Sequence, residues 1–293
     1  MRARIVRCRM ASFTTLIDAA TLAAQLTRDD LVLFDCRAEL GDVRWGEAQF
    51  AAGHLPGAQF LHLDRDLSGP ITPGSGRHPM PDPHLFAARL GALGVGEACQ
   101  VVAYDQGPGA YAARLWWLMR WIGFRDVAVL DGGIAAWRAA GLPLESTVRT
   151  PRARTLTAKP DMQALVSSAD LMDLRQRPGN LLIDARGAER FAGRNETIDP
   201  VAGHVPGARN HPFTANLGAD GKFLPADELC RRFGMLLGSQ PPSALISMCG
   251  SGVTACHTLL ALEHAGLGGA RLYAGSWSEW IRDPRRPIAT GAF

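Results

Sequence analysis

A chain of 293 residues with 31 basic and 28 acidic side chains carries a net charge of +3, too mild and too scattered to point to nucleic acid or an anionic membrane surface. Its most apolar stretch, Leu115 to Phe124, is shorter than a membrane span and is broken by Arg120. The six cysteines form neither a CxxC pair nor a zinc-ligand spacing, so they read as free thiols of a cytoplasmic protein that calls for no metal and no organic cofactor.

In chain order, the first ten residues hold Arg2, Arg4, Arg7 and Arg9 without an apolar core. They read as an unstructured extension, with Met10 as an alternative initiator, or as a transit-type segment. Leu33-Phe34-Asp35-Cys36-Arg37 follows, then the turn Gly53-His54-Leu55-Pro56-Gly57-Ala58. A strand is predicted over Gln100 to Tyr104 and a helix over Ala110 to Ile122, followed by Leu130-Asp131-Gly132-Gly133 with Trp137. Residues 144–160, rich in Thr, Arg and Pro and without apolar period, read as an extended linker between domains at 12–143 and 161–293.

Beyond the linker the chain repeats itself. Leu182-Ile183-Asp184-Ala185-Arg186 echoes the segment around Asp35, and Gly203-His204-Val205-Pro206-Gly207-Ala208 echoes the turn around His54. Tyr273-Ala274-Gly275-Ser276 with Trp280 echoes the segment around Gly132. Each half alternates strand-length apolar runs (Leu181 to Asp184, Ala244 to Met248) with helical patterns such as Val253 to Ala265, closed by Gly266. That alternation predicts two tandem α/β domains, each a mainly parallel sheet flanked by helices.

Duplication supplies an internal control. Asp35/Arg37 recur as Asp184/Arg186 and read as ion-paired strand ends; His54 and His204 recur and read as hydrogen-bonded turn residues. The turn after the central strand does not recur. Cys249-Gly250-Ser251-Gly252-Val253-Thr254 stands in the second half, and Asp105 occupies the cysteine's place in the first. Glycines at 250 and 252 allow a nest of inward N–H groups, and the following helix adds its positive end. Such settings lower a cysteine from about 8.5 to about 3.5–7.5. The alternative, a buried apolar cysteine, suits Cys256 better. Cys8, Cys36, Cys99 and Cys230 have no supporting context. A phosphatase would need an arginine where Ala255 stands.

The CGSGVTA run at 249–255, the paired GH-x-PGA turns, Asp131-Gly132-Gly133 with Trp137 and the YAGSWSEW run at 273–280 resemble the tandem rhodanese family of sulfurtransferases, over about residues 12 to 286. The resemblance implies two rhodanese-like domains, the first without the cysteine, and a persulfide carried on Cys249. The implied donor is 3-mercaptopyruvate, since Gly250, Gly252, Val253 and Thr254 put no charge in the loop. Thiosulfate is the alternative donor, and a sulfur-relay or protein-binding module is a further one. The implied acceptor is a small thiol or cyanide. The same resemblance marks Arg190 as a binder of the donor's carboxylate; Gly41 stands opposite it in the first half. A second arginine usual in mercaptopyruvate members is missing near Thr197, in a segment about two residues short, and Arg194 is the candidate replacement. Ser251, His78 and Asp64 match a proton-transfer set, two of its members lying in the first domain; a purely structural role for His78 and Asp64 is the alternative.

Overall fold

The computed structural model describes residues 12–291, so the Arg-rich start, Cys8 and Met10 lie outside the described residues. In chain order the strands are β1 Leu16–Ile17, β2 Leu31–Asp35, β3 Gln59–Phe60, β4 Gln100–Tyr104 and β5 Val127–Leu130, then β6 Leu181–Asp184, β7 Arg209–Asn210, β8 Leu245–Met248 and β9 Arg271–Leu272. They form two sheets, β1-β5-β4-β2-β3 and β7-β6-β8-β9, and their pairings are parallel. The second sheet repeats the first strand for strand. Its counterpart of β1 shrinks to a single parallel bridge between Leu165 and Leu272, where Leu16 pairs with Val129 in the first.

Helices α1 Ala19–Ala23, α2 Trp45–Ala52, α3 Pro83–Ala92, α4 Ala112–Trp121 and α5 Gly133–Ala139 accompany the first sheet. Helices α6 Ser168–Leu174, α7 Ala188–Phe191, α8 Ala226–Leu237, α9 Thr254–His264 and α10 Ser276–Trp280 accompany the second. Because helices cover both faces, β4 and β8 are fully buried and mainly apolar, with Gln100 and Ser247 as their buried polar residues. Helices α4 and α9 follow these central strands and pack against each other, so the two halves meet through equivalent elements. Leu115, Leu118 and Met119 of α4 share one continuous core with Cys256, Leu259 and Leu260 of α9. Separate clusters close the outer faces around Trp137 in the first half and Trp277 and Trp280 in the second.

The recurring polar residues have the same structural duties in each half. Arg37 forks onto Asp35 and reaches the Gly53 carbonyl at 2.8 Å, and Arg186 forks onto Asp184 and reaches the Gly203 carbonyl at 2.7 Å. His54 and His204 each donate from Nδ1 to a phenylalanine carbonyl at 2.8 Å, Phe50 and Phe191 respectively, and stack on that ring. Each pair thus fastens its turn to its sheet. The segment between the halves is extended and pinned to the first one: Glu145 and His54 exchange backbone hydrogen bonds, and Lys159 donates to Ile122 at 2.8 Å. Among the described residues no helix is long and apolar enough to cross a membrane.

Candidate active site

Cys249 sits immediately after β8, at the carboxyl end of the sheet, where ligands of open parallel sheets gather. The next residues curve back to feed α9. The carbonyls of Cys249 and Gly250 are turned away from the curve, accepting from the amides of Trp277 at 3.0 Å and Ser278 at 2.9 Å. A trans peptide that points its C=O outward points its N–H inward. The Gly250 and Ser251 amides therefore face into the curve, and the Gly252 amide lies 3.1 Å from the Cys249 sulfur. Gly252 adopts φ +80°, and a Cβ there would stand 2.3 Å from the Ala274 carbonyl oxygen, so no other residue fits. The amides of Gly250, Ser251 and Val253 have no protein acceptor among the described residues. Val253 is buried, and Thr254 opens α9 above the same cradle. The cysteine is 2% exposed, so its sulfur is shielded from open solvent.

Ser276 supports the loop from below. It is the one non-glycine residue with positive φ among the described residues, at 54°. Its hydroxyl accepts from the Cys249 amide at 3.0 Å and donates to the Tyr273 carbonyl at 3.0 Å. Those two bonds offset a backbone cost of about 1–2 kcal/mol.

The first half reaches into this site. His78 is 5% exposed, with Nδ1 2.7 Å from the Ser251 hydroxyl and Nε2 3.2 Å from Asp64. A carboxylate only accepts, so Nε2 carries the proton and Nδ1 accepts from Ser251. Burial pushes the His78 imidazole below its ordinary 6.5, more than the pull of Asp64 lifts it. The hydrogen bond from His78 holds the Asp64 carboxyl below its ordinary range, and that carboxyl is 47% exposed, so the chain of three groups ends at solvent. Its approach is fixed by contact: a Cβ on Gly76 would meet the Gly275 carbonyl at 2.6 Å. Arg114, wholly buried in α4, donates to the carbonyls of His78 at 3.2 Å and Gly252 at 3.3 Å and so ties the two loops together.

Arg190, at the end of α7, reaches over Gly250: a Cβ there would stand 3.4 Å from its Nη2 and 3.6 Å from its Nη1. Glu196 and Asp199, each with a side chain 2% exposed, fix its guanidinium. Arg194 does not join it. Its backbone turns back onto Glu189 at the end of α7, and its guanidinium pairs with the Glu189 carboxylate at the surface, 55% exposed. Arg194 was a candidate as the arginine available in the segment where a second one is expected; the turn after the short helix sends its side chain and that of Arg190 different ways.

The equivalent loop of the first half is already occupied. The Asp105 carboxylate, fully buried, accepts from the amides of Gly107 at 3.0 Å, Gly109 at 3.0 Å, Tyr111 at 2.9 Å and Ala112 at 3.3 Å. Burial raises that carboxyl above its ordinary value against the opposing effect of the four amides.

With this geometry in hand, the comparisons with known proteins decide the family. Rhodanese-like domains match at residues 18–140 and again at 167–283. The chain belongs to the rhodanese family. It is 52% identical over 282 residues to the "Probable 3-mercaptopyruvate sulfurtransferase" of Pseudomonas aeruginosa, covering 96% of this chain and 99% of that one. It is 37% identical to a Mycobacterium tuberculosis protein named "Putative thiosulfate sulfurtransferase", covering 94% and 97%. The solved 3-mercaptopyruvate sulfurtransferase of Leishmania major superposes with a TM-score of 0.81 at 34% identity, over 92% of this chain and 76% of that one.

In this tandem rhodanese, sequence reasoning passed over Arg77, Asp199, Glu196, Arg114 and Ser276. One of them left a trace: where the halves align, Ser276 stands opposite Gly133, which has φ 56°, so the second half keeps a glycine's conformation with a hydroxyl added. The others meet the site only through the fold. Arg77 comes from the loop that carries His78, donates its backbone amide to Ser278 at 3.0 Å, and pairs with Asp199.

Proposed function

We propose that the chain is a 3-mercaptopyruvate sulfurtransferase acting through a Cys249 persulfide. The observation that carries this reading is a buried sulfur held by the Gly252 amide at 3.1 Å inside a ring of unclaimed N–H groups, with the twin loop sealed by Asp105. The donor's carboxylate lies against Arg190. The Cys249 thiolate attacks the donor sulfur; the S–S bond forms as the C–S bond breaks, and the electron pair passes to the methylene carbon as the enolate of pyruvate. The donor's thiol proton leaves through Ser251 and His78 towards Asp64, and a proton returns to the enolate carbon to give pyruvate. The inward amides take up the charge of the sulfur in both its thiolate and persulfide forms. A small thiol or cyanide then attacks the outer sulfur and releases Cys249. Every step is carried by the chain's own side chains and amides.

Thiosulfate as donor has its own support in the Mycobacterium tuberculosis relative, and a direct comparison of kcat/KM for the two donors decides between them. A cytoplasmic setting is supported by Cys36, Cys99, Cys230, Cys249 and Cys256, all of them free thiols. The deciding experiment is intact-protein mass spectrometry after incubation with mercaptopyruvate. It should find a gain of about 32 Da on Cys249, absent from Cys249→Ser. A folded protein that turns over without that adduct overturns the reading.

A further inference from the structure

Of the guanidiniums around the cysteine loop, Arg77 and Arg190 pair with Asp199, and Arg190 with Glu196 as well. Arg114 differs. Wholly buried in α4, it has no carboxylate partner among the described residues. It donates instead to four neutral carbonyls, those of His78 at 3.2 Å, Gly252 at 3.3 Å, and Leu67 and Pro79 at 3.4 Å. An ion kept out of water without a counter-ion is costly, so its retention calls for an anion nearby. The neighbouring titratable groups are few. Burial pushes the Cys256 thiol up to about 12, so it stays protonated and donates to the Gly252 carbonyl at 3.2 Å. His78 is neutral, held below 6.5 by burial and, after it, by the charge of Arg114 itself. Asp64 lies beyond His78 and is engaged with it. What remains is the sulfur of Cys249.

The route from Arg114 to that sulfur is one peptide. Arg114 Nη1 and the Cys256 thiol hold the Gly252 carbonyl on the outside of the curve, and the trans peptide sends the Val253 amide the other way, into it. A cation on the carbonyl end of a peptide strengthens its N–H as a donor, because hydrogen bonds in a chain polarise one another. The duplication supplies a control. Five residues after a glycine with φ +80° stand Arg114 in the first half and His257 in the second. Each crosses to the other half's loop, Arg114 to Gly252 and His257 to the Pro108 carbonyl at 2.9 Å. Burial pushes His257 down to about 3, so it braces as a neutral ring. A neutral brace serves the loop that Asp105 fills, and a charged one serves the loop with the sulfur.

We propose that Arg114 is a positioning residue for the sulfur anion: its charge, carried through the Gly252–Val253 peptide, favours Cys249 as thiolate and as persulfide, and that anion is the countercharge the guanidinium lacks. This deepens the sulfurtransferase reading and rests on it for the persulfide. The thiolate part stands on the geometry alone. The cysteine-free half then supplies charge to the chemistry from a side chain closed to solvent.

The test is the pH profile of alkylation by neutral iodoacetamide, followed at Cys249 by peptide mass spectrometry. Arg114→Gln should slow it about ten-fold at the acidic end, where fewer sulfurs are ionised, and match wild type within about two-fold at the alkaline end, where all are. Arg114→Met, an apolar chain of similar length, gives the same reading if the glutamine variant does not fold. Arg114→Lys keeps the charge but not the fork, and should stay within about three-fold of wild type throughout. A neutral variant whose profile coincides with wild type, or one slowed equally at every pH together with the lysine variant, overturns the proposal and leaves Arg114 as a tie between loops. If wild-type protein gains no sulfur on Cys249, the sulfurtransferase reading fails instead, and the alkylation profile still decides whether Arg114 serves the thiolate.

Discussion

The loop after β4 and the loop after β8 are the same turn put to opposite uses. Both curve at the carboxyl end of a central strand and both turn amides inward. In the first, Asp105 fills the nest with its own carboxylate and collects four N–H bonds. In the second, the centre is the Cys249 sulfur, which takes the Gly252 amide and leaves the other amides unclaimed. The difference teaches that one turn can be kept in both halves while its inward amides are either satisfied within the protein or left open. The first half also reaches the second loop, with His78 against Ser251 and Arg77 beside Gly250.

The most severe test is to spoil the turn of the second half and to compare it with a harmless methyl added to the turn of the first. Gly252→Ala forces a Cβ onto the Ala274 carbonyl at 2.3 Å from a backbone at φ +80°, so the peptide must rotate and carry its amide off the sulfur. Losing one such donor should cost about 10²–10³-fold in the rate of persulfide formation, measured in a single turnover. In the first half, Gly107→Ala meets nothing within 4 Å and should leave the rate unchanged. Equal effects at the two positions would mean that the amide cradle is not what makes the second loop active.

How much of this was legible in the sequence follows from how local each feature is. Strands β4 and β6 run over the residues predicted for them, because a strand covered on both faces keeps an apolar interior; only the terminal Gln100 and Asp184 are polar, and both are hydrogen-bonded. Helix α4 begins at Ala112 rather than Ala110, and the Asp105 carboxylate caps its start by accepting from the Tyr111 and Ala112 amides, a contact between separate segments of the loop that apolar periodicity does not register. The two-residue strands β1, β3, β7 and β9 leave no period to read. The Cys249 loop is six consecutive residues and could be read directly. The contact of Ser251 with His78 spans 173 residues and came into view only through resemblance to a family. Arg77 was hidden for the same reason, and Arg194 was favoured because it lies in the segment where a second arginine is expected, although its side chain turns to the surface.

Asp105 offers the complementary test, in stability rather than rate. Asp105→Ala leaves four N–H groups without their acceptor, those of Gly109 and Ala112 buried and those of Gly107 and Tyr111 partly so, which should lower unfolding stability by about 2–4 kcal/mol, read from urea denaturation. Sulfur transfer per folded molecule should stay within about two-fold, since no Asp105 atom reaches the second loop's cradle. A large drop in specific activity at unchanged stability would show the first loop to be a working part and not a plug.

The mildest expected effect separates the two duties open to His78. Burial holds its imidazole below 6.5, so it is neutral at pH 7 and able to accept a proton from Ser251. kcat/KM should therefore hold down to pH 6.5 and fall only as pH drops through the depressed value. His78→Gln can still bond Ser251 and Asp64 but cannot carry a proton onward; it should lose about ten-fold at neutral pH and lose that acid limb altogether. Stability gives an independent sign. A histidine whose folded value is depressed contributes fully above its unfolded value, and that contribution is lost as pH falls from about 6.5 towards the folded value, because the unfolded chain takes up the proton first. Acidification should thus cost the wild-type protein more melting temperature than it costs His78→Gln. If the stability difference appears while the acid limb of the rate survives in the variant, His78 only positions Ser251, and the proton leaves the second half by another route.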